Sequence, residues 1–248
     1  MIAAIIQART SSTRLPGKVL ASILGRPMLD LQIERIRRTR RLDHIAVATS
    51  RETDDDEIDT LCQEIGVDCH RGSLENVLER YLDAAKAIGA TRIVRLTADC
   101  PLADPDVIDT LVTFFEHGRF DYASNTLEPT WPHGLDAEIM SIGALEIANR
   151  EATSAADLEH VTHYLYNNPD QFTLGSFQQN LDQSQYRWTV DYPEDLELVT
   201  AVFEHLYPHN AEFTTNDIVA FLASHPDVAS LNRHIETRAN KTAAVALR

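Results

Sequence analysis

The run Ile2 to Ile6 (IAAII) carries no polar side chain, and this narrows the possible folds more than any other stretch. Successive residues of a strand point to opposite faces of a sheet, so an unbroken apolar run needs cover on both faces. A parallel sheet with helices on each side supplies that cover. His44 to Ser50 (HIAVATS) reads as a second buried strand, Arg92 to Ala98 (RIVRLTA) as a further strand, and Val67 to His70 as a shorter one. Helical spacing fills the gaps. Leu29, Ile33 and Ile36 predict a helix from about Met28 to Arg40. Thr53 to Glu57 supplies a cap and acids at the start of a helix that Leu61 and Ile65 continue. Another helix spans about Leu74 to Ile88, and Asp104-Pro105 opens one reaching about His117. Strands alternating with helices predict βαβ units and a mainly parallel α/β sheet.

The second half is less regular. Phe120 to Ser124, Thr173 to Phe177 and Tyr186 to Val190 read as strands, and Leu135 to Ser141 alternates like a half-exposed one. Helices are expected at about Ile142 to Arg150, Ala155 to Asn167, from Pro193 to near Tyr207, and Thr215 to Ala223. No repeat, low-complexity tract or Gly/Ser linker interrupts the chain, so one domain over 1–235 is expected, with a tail at 236–248 predicted to be mobile.

After its first strand the chain changes character. Ala8, Thr10, Ser11, Ser12 and Thr13 are small or hydroxylated, Arg9, Arg14 and Lys18 are cationic, and Pro16-Gly17 forces a turn. Small residues let backbone N–H groups approach a phosphate, and three cations can neutralise its oxygens. The loop follows the first strand, where open α/β sheets place ligands. It is neither GxxxxGK[ST] nor GxGxxG. It reads as an anion-binding loop for a nucleotide.

The order IIQARTSSTRLPGKVL resembles the opening signature of the sugar-activating cytidylyltransferases, which include the acylneuraminate and 3-deoxy-octulosonate enzymes, and most of all their spore-coat polysaccharide SpsF-like branch. The resemblance runs from Ile2 to about Leu198. It implies a three-layer α/β/α nucleotidyltransferase fold, Rossmann-like or GT-A-like, with a mixed sheet. It also implies CTP as co-substrate, Mg²⁺ or a similar metal, and a homodimer built partly through about 125–190. In that family the loop wraps the triphosphate, which implicates Ala8, Arg9, Thr10, Ser11, Arg14 and Lys18 as nucleotide-binding, with Arg9 and Lys18 also catalytic.

Asp99 and Asp191 each follow a strand. Each has an ordinary role, capping a turn or stabilising a helix start. Beside a triphosphate, a carboxylate needs a bridging hard cation such as Mg²⁺. TADCPL and VDYPEDLE resemble the family's two metal-binding stretches, which implies Asp99 and Asp191 as metal ligands and Asp99 as catalytic; Cys100 stands where the family often has an acid, which bears on the number of ions. Arg71-Gly72-Ser73 matches a stretch that helps form the nucleobase pocket, while composition alone reads it as a turn. His133, Asp136 and Glu138 fall where relatives hold the group to be activated, although two acids on alternate strand residues also suit a solvated edge. Glu159-His160-Val161-Thr162 resembles an EHVT stretch of the SpsF-like branch, and His160 reads as a hydrogen-bonded site or core residue. His160 and His163 form HxxH, but without more ligands zinc is not expected. Asp54 to Asp56 read as a solvated first turn.

Composition excludes several classes. A net charge of −16 disfavours nucleic acid and anionic membranes as partners. Residues 1–41 nevertheless hold nine Lys/Arg against two Asp/Glu, a balance of +7, leaving −23 for the rest. Part of that +7 is the run Arg35, Arg37, Arg38, Arg40 and Arg41, which reads as a solvated helix face. No stretch approaches the ~20 apolar residues of a membrane span. The start lacks a basic region before its apolar run, so no signal peptide is expected. Cys62, Cys69 and Cys100 lack CxxC spacing, which argues against a disulfide framework or zinc site and makes a cytoplasmic setting the default. GxSxG, HExxH and kinase motifs are absent. The expected activity is transfer of CMP from CTP to a sugar or sugar-acid acceptor, in surface polysaccharide or modified-sugar synthesis. The alternatives are a glycosyltransferase with a related fold, which the missing Asp-x-Asp spacing at Asp99 counts against, and a non-catalytic nucleotide-binding protein.

Overall fold

A computed structural model describes residues 1–237, so the tail predicted at 236–248 lies outside the described residues from position 238 on. The chain runs β1 (Ile2–Gln7), β2 (Ser22–Ile23), β3 (Arg26–Pro27), α1 (Met28–Ile36), β4 (His44–Ser50), α2 (Asp56–Ile65), β5 (Asp68–Gly72) and α3 (Val77–Ala87). It continues β6 (Arg92–Thr97), α4 (Pro105–Gly118), β7 (Tyr122–Ser124), β8 (Glu138–Ser141), α5 (Ile142–Glu151), α6 (Ala155–Glu159) and α7 (His163–Asn167). The remainder is β9 (Leu174–Ser176), α8 (Pro193–Leu206), α9 (Thr215–Ser224) and α10 (Pro226–Ser230).

Seven strands form one sheet in the order β5-β4-β1-β6-β8-β7-β9. The first four are mutually parallel, β8 is antiparallel to both neighbours, and β7 and β9 are parallel. The sheet is therefore mixed and mainly parallel, with helices on both sides. β1 shows why: Ala4 and Ile6 enter one core with α1, α2, α4, α8 and α9, while Ala3 and Ile5 enter the other with α3 and α5. All four are fully buried, as an unbroken apolar strand requires. Among the described residues, no helix is long and apolar enough to cross a membrane.

Four local expectations are corrected. β8 is not half exposed at an edge. It lies between β6 and β7, with Ile139 in one core and Met140 in the other. The helix expected over Ala155 to Asn167 breaks into α6 and α7 at Val161, whose φ is +42° while its side chain is fully buried. Burying a β-branched residue in this left-handed region costs of order 1–3 kcal/mol of backbone strain, and the break leaves His160 just past α6 and His163 at the start of α7. Tyr186 to Val190 is not a strand; its one ladder contact is the bridge between His133 and Arg187. Arg35 is not solvated. It is 1% exposed, donates to the carbonyls of Ala103 and Phe213, and stacks 4.1 Å from the Phe213 ring.

The 186–190 segment is fastened at both ends. Trp188 and Thr189 donate their N–H groups to the His133 carbonyl, and Val190 N donates to Asp99 O at 2.7 Å. Gly134, at φ +121°, makes the first contact possible, because a Cβ there would lie 2.5 Å from both Thr189 N and Trp188 C. Gly134→Ala is expected to combine roughly 1–3 kcal/mol of backbone strain with this clash. Urea unfolding should show the loss, whereas Gly143→Ala, where a Cβ meets nothing, should change stability far less.

Candidate active site

The C-terminal ends of β1, β4 and β6 lie side by side, and the basic loop leaves from the first of them. Thr10 anchors that loop by donating its N–H and hydroxyl to Asp55 Oδ1, each at 2.8 Å. Gly17, at φ +70°, then turns the chain into a short 3₁₀ segment, Lys18–Leu20, that sends Lys18 inward. Asp55 also accepts from the hydroxyl and N–H of Ser50 at the end of β4. Burial alone would raise its pKa, but the Ser50 and Thr10 donors outweigh this and hold it below the ordinary value of 3.8.

Asp55 is the residue that the sequence reading missed. Asp54 and Asp56 are exposed, as a solvated first turn should be, but Asp55 is 2% exposed and holds the loop. Three consecutive acids carry no signal of which one turns inward. Thr10 and Ser50, its donors, lie 45 and 5 residues away.

Lys18 is the centre of the site. Its ammonium donates to Asp99 Oδ2 at 3.1 Å, Asp191 Oδ1 at 2.9 Å and the Val190 carbonyl at 2.7 Å. Burial pushes its pKa down, but Asp99 and Asp191 more than offset this and hold it above 10.5. Both carboxyls are held below 3.8: burial opposes ionisation, and Lys18 outweighs it, aided by Thr97 at Asp99. Thr97 Oγ1 donates to Asp99 at 2.6 Å. Asp191 also takes Arg14 at 2.6 Å and Arg187 at 3.1 Å. Buried Arg187 makes two further 2.9 Å bonds to Asp195, which accepts the N–H groups of Asp191 and Tyr192 and a 2.8 Å bond from Asn232. Asp195 thus caps α8 and also fixes the backbone of Asp191.

Two cavities meet at this pair of aspartates. The smaller, about 250 Å³, is lined by Arg9, Ser11, Ser12, Thr13, Arg14 and Lys18 of the loop. The larger, about 1130 Å³, is lined by His133, Asp136, Glu138, His160, Arg187 and Tyr192. Arg14, Arg95, Thr97, Asp99 and Asp191 border both. Glu138 lies on the larger wall with its carboxylate bound by Arg95 and, at 2.6 Å, by the Tyr122 hydroxyl. Burial would raise its pKa, but Arg95 holds it below 4.5. His133 Nε2 lies 3.9 Å from Asp136, and His160 is exposed at the end of α6 rather than in the core. Arg9 pairs with Glu159 at 3.5 Å.

Arg71, Gly72 and Ser73 come to the same sheet edge at the end of β5 but line neither cavity. Arg71 donates to the carbonyls of Ser50 and Glu52 and pairs with Asp56. Ser73 accepts from Asn76 N, at the start of α3. Two hard carboxylates facing one cation suit Mg²⁺, which usually takes one or two carboxylates and completes its shell with phosphate and water. Among the described residues, no group of three or more His, Cys, Asp or Glu side chains is placed to enclose a metal.

Comparison with known proteins places this geometry among its relatives. A family model described as "Cytidylyltransferase" matches residues 3–218. The spore coat polysaccharide biosynthesis protein SpsF of Bacillus subtilis is 31% identical over 91% of this chain and 95% of its own. A solved cytidylyltransferase from Leptospira borgpetersenii is 31% identical with a TM-score of 0.87, over 92% of this chain and 96% of that one. A CMP:2-keto-3-deoxy-manno-octonic acid synthetase, solved with CTP, shares the fold at a TM-score of 0.65 and 18% identity, over 82% of this chain and 98% of that one.

Replacing Asp55 measures what the loop anchor contributes. Asp55→Asn should lower stability near neutral pH by about 1–3 kcal/mol through weakened charge-assisted hydrogen bonds. Because the folded carboxyl titrates below 3.8, its stabilisation is complete above that value and is lost as pH falls through the folded pKa. Urea unfolding between about pH 6 and pH 2.5 should therefore show the gap between wild type and variant closing at the acid end. A gap independent of pH would contradict the assignment.

Proposed function

Because this chain belongs to the cytidylyltransferase family, we propose that it transfers CMP from CTP to a hydroxyl of a sugar or sugar-acid acceptor and releases pyrophosphate. The observation that carries the reading is Lys18 joined to Asp99 and Asp191 where the cavity of the basic loop opens into the larger cleft. The glycosyltransferase alternative yields to the family match.

The triphosphate lies along the loop, with Arg9, Arg14 and Lys18 on its oxygens; the N–H groups of Ala8 and Thr10, expected to face it, are held instead by the Ala48 carbonyl and Asp55, which leaves those of Arg9 and Ser11. Arg71, Gly72 and Ser73 take the nucleobase side. The acceptor lies in the larger cleft against His133, Asp136, Glu138 and His160. Its oxygen attacks the α-phosphorus in line, a new P–O bond forms, the α–β bridging bond breaks, and the acceptor proton leaves to water or a neighbouring base. The protein contributes position and charge: Lys18 and the two arginines offset charge gathering on the departing pyrophosphate. Asp99 and Asp191 would hold Mg²⁺, which when bound neutralises phosphate charge and acidifies the attacking hydroxyl. The relative SpsF supports a role in surface polysaccharide or modified-sugar synthesis. Free Cys62, Cys69 and Cys100 suit a reducing, cytoplasmic setting. Exposed Tyr166 and Leu181 support a homodimer contact within 125–190.

Thermal stabilisation by CTP, UTP, ATP and GTP, each with Mg²⁺, tests the nucleotide. A ligand at 100 times its Kd adds about 2.7 kcal/mol, and CTP should give the largest shift. With an acceptor from a panel of sugars and sugar acids, pyrophosphate release should appear and fall about 10²-fold or more in Asp99→Asn, whose melting should remain cooperative. An Asp99→Asn enzyme of undiminished turnover would reject the role of Asp99.

A further inference from the structure

The carboxylate pair is already neutralised within the chain. Asp99, Asp191 and Asp195 face Lys18, Arg14 and Arg187, three charges of each sign. The Lys18 ammonium has three protons, and the bonds to Asp99, Asp191 and the Val190 carbonyl employ all three. It sits about 3 Å from one oxygen of each aspartate. Mg²⁺ ligated by the same two oxygens at about 2.0–2.1 Å would crowd the ammonium that those oxygens already hold. Two like charges so close repel strongly in a partly buried site.

A nucleotide changes the partners. Lys18 and Arg14 both belong to the basic loop and both line the small cavity. A triphosphate there offers them anionic oxygens in exchange for the aspartates. Arg187 does not join this exchange, because it is buried behind Asp191 and held by Asp195 and by its bridge to His133.

We infer that Lys18 is the internal occupant of the metal position, so that a divalent cation enters between Asp99 and Asp191 only as a nucleotide draws Lys18 and Arg14 away. Nucleotide and metal binding are then positively coupled, and thermodynamic linkage makes the coupling reciprocal. The inference rests on the proposed function, which places the metal and the triphosphate in this site.

Mn²⁺ is the probe. Free Mn²⁺, followed by electron paramagnetic resonance during titration of the full chain without nucleotide, should bind wild type weakly. Lys18→Met should bind one ion about tenfold more tightly or better, and Asp99→Asn in that background should abolish the gain. Arg14→Gln, at a side chain 46% exposed, should give a smaller gain in the same direction and serves if Lys18→Met does not fold. Tight Mn²⁺ binding by nucleotide-free wild type, or no gain in whichever variant folds, overturns the inference. Water-proton relaxation of the Mn²⁺–CTP complex separates the two readings. Enhancement by wild type that Asp99→Asn loses supports the metal site. Its absence overturns both readings, whereas enhancement without a Lys18→Met or Arg14→Gln gain overturns the coupling alone.

Discussion

Three distant parts of the chain converge on one ammonium group. Lys18 belongs to the loop after β1, Asp99 to the end of β6, and Val190 and Asp191 to a segment more than 170 residues from the loop. Their attraction is not simply a stabilising term. Taking charges out of water costs several kcal/mol each, and a buried pair recovers this only when the remaining donors and acceptors are satisfied. Here they are: Thr97 serves Asp99, Arg187 serves Asp191, and the Val190 carbonyl takes the third lysine proton. Removing one member strands the others, which in comparable clusters costs about 3–5 kcal/mol. The cluster therefore acts as a specificity device. It ties loop, strand end and late segment into one arrangement, with cations and carboxylates side by side where the two cavities meet.

The same local focus resolves an apparent conflict in charge. A chain of net charge −16 should repel a triphosphate, which is itself strongly anionic. At physiological salt, however, the Debye length is about 8 Å, so distant acids on the helices are largely screened. In the proposed reading, contacts within the loop decide the outcome. Arg9, Arg14 and Lys18 lie on one cavity wall, while much of the remaining N-terminal positive charge is used elsewhere. Arg35 is buried against Phe213, and Arg40 and Arg41 pair with acids on α4. The +7 balance of residues 1–41 thus has two separate origins, one of them architectural.

How much of this the sequence shows follows from how local each signal is. β4 begins and ends where its strand-like run does, and β1 and β6 do so within one residue, because most of their side chains are claimed by the cores on the two faces. That a basic loop follows β1 is legible because its small residues and cations are contiguous. Asp55 was not, since its partners are Thr10 and Ser50 and nothing adjacent distinguishes it from Asp54 or Asp56. The insertion of β8 between β6 and β7 is a topological choice that alternation along Leu135 to Ser141 does not encode. The break at Val161 arises because the core claims that side chain at a backbone angle that helix propensity disfavours. Arg187, which positions Asp191, reads in sequence as one basic residue between aromatics; its role exists only once α8 is capped by Asp195.

The two halves of the site are built from different material, and this governs how each can change. The half that carries the basic loop, proposed to hold the nucleotide, stands on the ends of three parallel strands, and the ladder bonds and both cores hold those ends in place. A substitution there disturbs the sheet itself. The larger cleft is walled by the loop before β8, the end of α6 and the segments around 187–194 and 234–236, which meet through a few backbone bonds and the close approach at Gly134. Walls made of connecting segments on a rigid scaffold can be reshaped with little effect on the sheet. Under the proposed function, reaction chemistry and acceptor choice are thereby separated in space: the first rests on strand ends and the Lys18 cluster, and the second on the loops.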